Sequence, residues 1–209
     1  MAEFSLDRFA IAGVVLAGGR SQRMGHDKAA VMLGTESLLR HVLTRLEPQV
    51  FSVAVNADVA SENVPVVPDL VAGKAGPMAG IHAAMTYAAG LPKISHVVTV
   101  SVDCPFFPTD LVARLAAALE RPSQIAIAAS EGRSHPVFGL WPVTLASDLE
   151  DWIASDEKRR VRDFLLRHDV TEVAFPLHPT RASVLDPFFN INTPDDLIEA
   201  QRWLEALRT

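Results

Sequence analysis

Residues 11–28 read IAGVVLAGGRSQRMGHDK, the most informative stretch of the sequence. The first part, 11–17, is a continuous apolar run with no polar alternation, a pattern typical of a strand covered on both faces. The run ends in a glycine pair and passes into a loop that carries two arginines and a lysine. The stretch therefore predicts a buried strand followed by a basic, glycine-rich loop.

Strand and helix patterns alternate along the rest of the chain. Short apolar, β-rich runs predict further strands at 51–55, 64–67, 96–102, 124–129 and 137–141. Apolar residues at helical spacing predict helices at about 38–46, 77–89, 108–119, 143–155, 161–168 and 194–207. Thr193 and Asp196 are placed to form a capping box at the last of these. The alternation predicts an α/β fold in three layers, with a mostly parallel central sheet and helices on both faces.

The composition excludes several classes of protein. The chain has 209 residues, 49% of them hydrophobic, and a formal net charge of −6. This length predicts one domain, 1–209, whose core needs no metal or disulfide to stabilise it. The single cysteine, Cys104, favours a reducing compartment. Since no run resembles a signal peptide or a membrane span, we expect a cytoplasmic protein without membrane contact. The acidic balance argues against nucleic acid as a partner.

The glycine-rich loop is a candidate phosphate site. Glycines let backbone N–H groups approach a ligand closely, and Arg20, Arg23 and Lys28 supply the positive charge that a polyphosphate requires. The loop is not a P-loop, because Gly-Lys-Ser/Thr is absent, and it lacks the dinucleotide fingerprint Gly-x-Gly-x-x-Gly. The alternative to a phosphate site is a mobile loop with solvated arginines.

Polar residues follow the predicted strands at the edge where open parallel sheets bind their ligands. Asn56 comes after the second strand, and Asp103 comes after the strand at 96–102. A carboxylate at the end of an apolar strand is poorly solvated, and Mg²⁺ is a natural partner for it. The alternative for Asp103 is a turn or helix-cap role, and Asp69 by itself is typical of a turn. The chain has neither a zinc motif nor a nucleophile elbow.

Together these residues carry a family resemblance. Residues 16–28, Leu-Ala-Gly-Gly-x-Ser-x-Arg-Met-Gly-x-Asp-Lys, resemble the signature loop of the molybdenum cofactor guanylyltransferases. Landmarks that agree in order and spacing are Asn56, Asp69, Gly76-Pro77-Met78-Ala79-Gly80, Asp103-Cys104-Pro105 with Pro108, His135-Pro136, Arg159-Arg160 and 189–194. The resemblance spans residues 12 to 200. It implies a nucleotidyltransferase-type, Rossmann-like fold with a nucleotide-binding part at about 12–130 and a pterin- or acceptor-binding part at about 131–209.

The resemblance also implies roles for single residues on the nucleotide. Those that would contact GTP are Leu16, Ala17, Gly18, Gly19, Lys28, Asn56, Asp69 and Asp103. Within this set Gly19 and Lys28 would hold the phosphates, Asn56 and Asp69 the guanosine part, and Asp103 both GTP and Mg²⁺. The catalytic residues would be Asp103, Lys28 and Arg23. Cytidylyl-transferring relatives typically show Ala-Ala-Gly where this chain has Ala17-Gly18-Gly19, so guanine is the expected base.

For the pterin, the resemblance points to the C-terminal part of the chain. The implied residues are Arg159, Arg160, Asn190 and Asn192. The alternative for the arginines is a solvated basic turn. The alternative for the asparagines, which alternate along a strand-like stretch, is buried hydrogen bonding.

The implied reaction is transfer of GMP from GTP to the terminal phosphate of molybdopterin, with release of pyrophosphate. A phosphate monoester has a second pKa of about 6, so the nucleophile is already dianionic and needs no general base. Mg²⁺ and the cations of the loop would align the substrates and offset their repulsion. We also expect a monomer that contacts proteins of molybdenum cofactor biosynthesis and molybdoenzyme maturation transiently. The alternatives are a cytidylyl or sugar-phosphate nucleotidyltransferase, a non-catalytic GTP or pterin carrier, and a plain interaction module.

Overall fold

The computed structural model describes residues 5–18, 28–58, 63–71, 76–155, 160–180 and 183–207, and a six-stranded sheet forms its centre. The strands are β1 (Ile11–Leu16), β2 (Met32–Leu33), β3 (Glu36–Ser37), β4 (Ser52–Asn56), β5 (His96–Ser101), β6 (Ile125–Ser130), β7 (Arg133–Pro142), β8 (Val170–Ala174), β9 (His178–Pro179) and β10 (Val184–Leu185). The α-helices are α1 (Leu38–Leu46), α2 (Pro77–Ala89), α3 (Leu111–Ala117), α4 (Ala146–Ser155), α5 (Val161–Leu165) and α6 (Pro194–Leu207).

The central sheet has the strand order β4-β1-β5-β7-β6-β8. β1 pairs in parallel with both β4 and β5, and β6 pairs in parallel with β8. β7 runs antiparallel to its neighbours β5 and β6. The reversal follows from a two-residue turn, Glu131 and Gly132, with φ of 47° and 74°, because such a turn produces a hairpin. The prediction of a mostly parallel sheet is confirmed.

Helices cover both faces of the sheet. α1 and α3 pack on one face, whereas α2, α4 and α5 pack on the other. β1 contributes side chains to the cores on both faces of the sheet. Val15 belongs to the first core cluster and Val14 to the second, and all six residues of β1 are buried. The continuous apolar run therefore folds as the alternation of strand side chains requires. The three-layer α/β prediction is confirmed.

A smaller apolar cluster joins the β2–β3 hairpin to α6 beside the end of β5. Leu33, Phe106 and Ile191 belong to it, with Ala200 and Trp203 from α6. At the start of α6, Thr193 Oγ1 accepts from Asp196 N at 3.2 Å and Asp196 Oδ2 accepts from Thr193 N at 2.8 Å. The predicted capping box is therefore confirmed, and it holds the segment just before α6 in place.

Some predicted elements differ in extent. The strand expected at 64–67 is a single parallel bridge between Val55 and Val66, because Pro65 and Pro68 lack the N–H donors that would extend the ladder. The helix expected from Pro108 begins at Leu111, whose N–H donates to Pro108 O at 3.2 Å in a preceding turn. Within the described ranges, no helix has both the length and the apolarity needed to cross a membrane.

Candidate active site

Asp103 lies at the carboxyl end of β5, where the sheet opens. Its Oδ2 accepts from Lys28 Nζ at 2.9 Å, and its Oδ1 accepts from Ser101 Oγ at 2.5 Å. The side chains of Lys28 and Asp103 are 16% and 15% exposed, so the ion pair is largely withdrawn from water. The Coulomb attraction within a charged pair in this position is stronger than within one on the open surface.

The segment before α6 reaches the same point from the far end of the chain. Asn192 Oδ1 accepts from Lys28 Nζ at 2.7 Å, and Ile191 N donates to Asp103 O at 2.9 Å. Asn190 Oδ1 accepts from Cys104 Sγ at 2.8 Å. Asn190 and Asn192 are exposed and flank the buried Ile191. We call Lys28, Asp103, Asn190 and Asn192 the transfer side of the site.

Asn56, the last residue of β4, connects a second group of residues at the carboxyl edge of the sheet. It is 3% exposed, and its Nδ2 donates to Val67 O and to Asp69 Oδ1, both at 2.9 Å. Its backbone O accepts from Ala17 N at 3.0 Å. The carboxylate of Asp69 is thereby held by a buried amide while Asp69 itself is exposed. We call 16–18, Asn56, Asp69 and Gly80 the nucleotide side, after the GTP contacts that the family resemblance implies for all of these residues except Gly80.

Two glycines pack against the Asn56 amide, with no room for a side chain at Gly80 and little at Gly18. A Cβ at Gly80 would lie 2.6 Å from Asn56 Oδ1, and a Cβ at Gly18 would lie 3.3 Å from the same atom. α2 therefore approaches β4 closely at Gly80, and the glycine-rich loop begins against the same amide. Gly76, with φ of 57°, provides the turn that leads into α2 at Pro77.

The two sides lie at neighbouring strand ends. Leu16 pairs with Asn56 on one flank and with Ser101 on the other. Strands in a sheet are about 4.8 Å apart, so Asn56 and Ser101 are separated by about 10 Å across β1. An elongated ligand that follows the glycine-rich loop after β1 can therefore touch both sides.

Comparison with known proteins decides the family. Residues 13–172 match the sequence model described as the MobA-like NTP transferase domain. A molybdenum cofactor guanylyltransferase of Rhizobium johnstonii is 85% identical over 208 residues, covering 100% of both chains. The chain belongs to the molybdenum cofactor guanylyltransferase family. The predicted enzyme class, a nucleotidyltransferase, is confirmed with it.

Solved structures of low identity support the fold of this guanylyltransferase-family chain. The molybdopterin-guanine dinucleotide biosynthesis protein A of Archaeoglobus fulgidus is 24% identical, with a TM-score of 0.68 over 93% of this chain and 98% of that one. A Mycobacterium tuberculosis protein, solved in complex with manganese, is 18% identical, with a TM-score of 0.62 over 93% of this chain and 98% of that one.

Several predicted site residues lie outside the described ranges. These are Gly19, Arg20, Arg23 and Arg159. Arg160 is described: it is exposed at the start of α5, where its backbone O accepts from Asp163 N at 3.1 Å. Its part in pterin binding stays a prediction. The other predicted site residues lie along the carboxyl edge of the sheet: Leu16, Ala17, Gly18, Asn56, Asp69, Asp103, Asn190 and Asn192. Lys28 contacts this group through its ion pair with Asp103.

Two residues of the site escaped the sequence argument. Ser101 is the last residue of β5, and its hydroxyl donates to Asp103 in the turn that follows. Cys104 is fully buried, and its thiol contacts Asn190. Burial, reinforced by the Asp103 carboxylate, raises the pKa of the Cys104 thiol well above its ordinary value, so the group is a donor and not a nucleophile.

The Asp103 carboxylate suits a divalent cation that arrives with a nucleotide. A carboxylate offers about four lone-pair positions. Lys28 and Ser101 use two of them, and Cys104 Sγ makes a longer contact with Oδ1 at 3.7 Å. Mg²⁺ in nucleotide enzymes is commonly held by one or two carboxylates together with substrate phosphates and water. In the part of the chain that the structure describes, no group of three or more His, Cys, Asp or Glu residues could hold a metal alone. The residues present fit a metal shared with the substrate.

Proposed function

We propose that this chain transfers GMP from GTP to the terminal phosphate of molybdopterin, forming the guanine dinucleotide cofactor and releasing pyrophosphate. The observation that carries the proposal is the meeting of Lys28, Asp103 and Asn192 at the carboxyl edge of β1 and β5, beside the glycine-rich loop. The substrates that we assign to this edge, GTP and molybdopterin, are those that the family of the chain implies.

On the nucleotide side, the chain's own groups orient GTP. The exposed Asp69 carboxylate, fixed by Asn56 Nδ2, is an acceptor for the N–H or O–H donors of guanosine. Gly18 allows the backbone to come close, because a side chain there would press on Asn56 Oδ1. The predicted contacts of Leu16, Ala17 and Gly19 extend this surface along the loop.

On the transfer side, Lys28 and Asp103 would interact with the charges of the phosphates and of the metal ion. Lys28 Nζ, now shared between Asp103 and Asn192, is placed to move onto a phosphate oxygen, and we assign it with Arg23 to the developing charge on pyrophosphate. Asp103 would hold Mg²⁺, which when bound polarises the phosphate and neutralises charge between the two anionic substrates. Asn190 and Asn192, with Arg159 and Arg160, are assigned to the pterin.

Transfer of GMP requires that the protein position the phosphates, and it does not require a base that removes a proton from the nucleophile. At neutral pH the attacking phosphate monoester is mostly dianionic, since its second pKa is about 6. The groups around Asp103 are accordingly cations, amides and one carboxylate, and they align the phosphates instead of removing a proton.

The remaining predictions belong to the same proposal. In this proposal, residues up to about 130 bind the nucleotide and residues from about 131 bind the pterin, and Asn190 and Asn192 of the second part contact Cys104 and Lys28 of the first. We also keep the cytoplasm as the place of action, a monomer as the working state, and transient contact with proteins that supply the pterin or receive the product.

The test is pyrophosphate release by the purified chain with GTP, CTP, ATP or UTP, each with and without Mg²⁺ and molybdopterin. We expect release only with GTP, the metal and the pterin together. Release with CTP in place of GTP would keep the reaction and overturn the base. Binding of GTP or pterin without any release would favour a carrier and contradict the proposal.

A further inference from the structure

We propose that Asp186, anchored on Ser130 and backed by His135, is a positioning residue that seats Asn190 and Asn192 against Asp103. We call residues 186–193 the asparagine loop. The inference rests on the proposed function only in that these asparagines face the acceptor substrate; the seating of the loop can be tested separately.

The anchor lies at the β6–β7 hairpin. Ser130, 2% exposed, places its Oγ at 3.0 and 3.1 Å from the two carboxylate oxygens of Asp186 and at 2.7 Å from His135 Nε2. A hydroxyl has one hydrogen to donate. If that hydrogen goes to the carboxylate, His135 Nε2 must carry its own and donate to Ser130. The three distances therefore fit a chain of donation that starts at a His135 with its hydrogen on Nε2 and passes through Ser130 to Asp186.

Asp186 also holds the first turn of the asparagine loop in place. Its Oδ1 accepts from Phe188 N at 2.9 Å, and its backbone O accepts from Phe189 N at 3.0 Å, so the carboxylate closes the turn that starts the loop. The Phe188 ring, 2% exposed, stacks on His135 at 4.6 Å and meets Phe138 edge-on at 4.9 Å. The beginning of the loop is thus held both by charge and by the core.

The other end of the loop touches the site directly. Cys104 Sγ lies 3.5 Å from Phe188 O and 2.8 Å from Asn190 Oδ1, and Ile191 N donates to Asp103 O. Asn190 is only four positions after Asp186 in the chain, and Asn192 only six. Because this connecting segment is short, we expect a change at Asp186 to displace both asparagines.

Nothing comparable connects Asp186 to the nucleotide side among the described residues: Asn56, Asp69 and Gly80 contact one another and 16–18. Positioning of the loop thus predicts an effect on the acceptor that is larger than the effect on GTP, because the loop meets the GTP-binding residues through the contacts of Asn192 with Lys28 and of Ile191 with Asp103. A merely structural role predicts a general loss of stability that weakens both substrates alike.

Cys104 provides a reporter for loop seating that does not depend on activity. It is the single cysteine of the chain and is fully buried, with Phe188 and Asn190 of the loop against its sulfur. Its rate of alkylation by iodoacetamide at fixed pH measures how often the loop leaves its seat.

The experiment compares the parent with Asp186→Ala, Asp186→Asn and Ser130→Ala, with Asp151→Ala, an exposed site on α4, as the matched control. We expect Asp186→Ala to raise both the alkylation rate and the KM for molybdopterin at least about tenfold, the scale of one lost hydrogen bond to a charged group, while the GTP-induced thermal shift is retained. Asp186→Asn keeps the acceptor oxygen for Phe188 N and should restore part of both effects. Asp151→Ala should match the parent.

Parental alkylation in a folded Asp186→Ala would overturn the inference, as would loss of the GTP shift together with raised alkylation. If Asp186→Ala does not fold, Ser130→Ala decides by the same readouts. If no variant, nor the parent, transfers GMP, the proposed function fails while the alkylation rates still decide whether Asp186 seats the loop.

Discussion

The nucleotide side and the transfer side of the site are built in different ways. Asn56 and Asp69 are only 13 residues apart, and a buried, neutral amide joins them. On the transfer side, Lys28 meets a carboxylate 75 residues away and an amide 164 residues away, and the contacts involve charge. The difference indicates that the first side is a preformed cradle set by local packing, whereas the second exists only when distant segments have come together.

The largest effect is expected at the transfer side. Asp103→Asn removes the charge that Lys28 and a metal require, and we expect the transfer rate to fall at least about a thousandfold. The protein should stay folded, since the amide retains an acceptor for Ser101. Asp110→Asn, at an exposed carboxylate before α3, is the control and should match the parent. Steady-state kinetics and circular dichroism measure both; a rate within about tenfold of the parent would refute the role of Asp103.

Lys28→Ala should act on the nucleotide more than on the fold. Hydrogen bonds to charged groups contribute about 1.5–3 kcal/mol, so the Kd for GTP should rise about ten- to hundredfold. Lys93→Ala, at an exposed lysine in the turn before β5, provides the control. Isothermal calorimetry gives the result, and an unchanged Kd would reassign Lys28 to a purely structural ion pair.

Gly80→Ala tests the cradle itself. The added Cβ would lie 2.6 Å from Asn56 Oδ1 and 3.1 Å from Leu16 Cδ2, so β4 and α2 must move apart. We expect a loss of about 2 kcal/mol of unfolding free energy, seen as a fall in Tm of about 4–8 °C. Gly90→Ala, whose Cβ would meet Tyr87 O at an ordinary 3.4 Å, should leave Tm nearly unchanged. Equal Tm values for the two variants would show that the cradle is not preformed.

The smallest effect is expected at Asp69. Asp69→Asn keeps one acceptor oxygen but loses charge at an exposed position, so the Kd for GTP should rise only about fivefold, near 1 kcal/mol. Asp58→Asn, exposed just beyond the end of β4, is its control. A loss at Asp69 as large as that at Lys28 would erase the distinction between the two sides.

Sequence patterns predicted the strands and the polar edge of the sheet, because these follow from local apolar patterns and from the order of the strands. The contacts of Asn56 and Asp69 with GTP come from the family resemblance and stay a prediction. An unbroken apolar run predicted β1, and the convergence of parallel strand ends brought Asn56 and Asp103 to one edge. The capping box at Thr193 and Asp196 followed from spacing alone. The strand expected at 64–67 was wrong, since the apolar pattern outweighed two prolines that prevent a ladder.

The transfer side resisted prediction for a physical reason. No local pattern states that Asn192 will meet Lys28 or that Asp186 will meet Ser130, because these contacts depend on how β6, β7 and α6 close over the end of β5. The reversal of β7 was equally hidden: Glu131 adopts a φ of 47°, a conformation uncommon for a residue with a side chain. The asparagines were reached through family resemblance, and the structure supplies the reason for their spacing.

The most direct test of guanylyl transfer follows the α-phosphate. The purified chain is incubated with Mg²⁺, molybdopterin and GTP labelled at either the α- or the γ-phosphate, and the pterin product is separated from pyrophosphate. If the chain transfers GMP, α-label appears in the pterin product, γ-label appears only in pyrophosphate, and Asp103→Asn abolishes both. Absence of α-label from the pterin, with GTP bound and intact, would contradict guanylyl transfer.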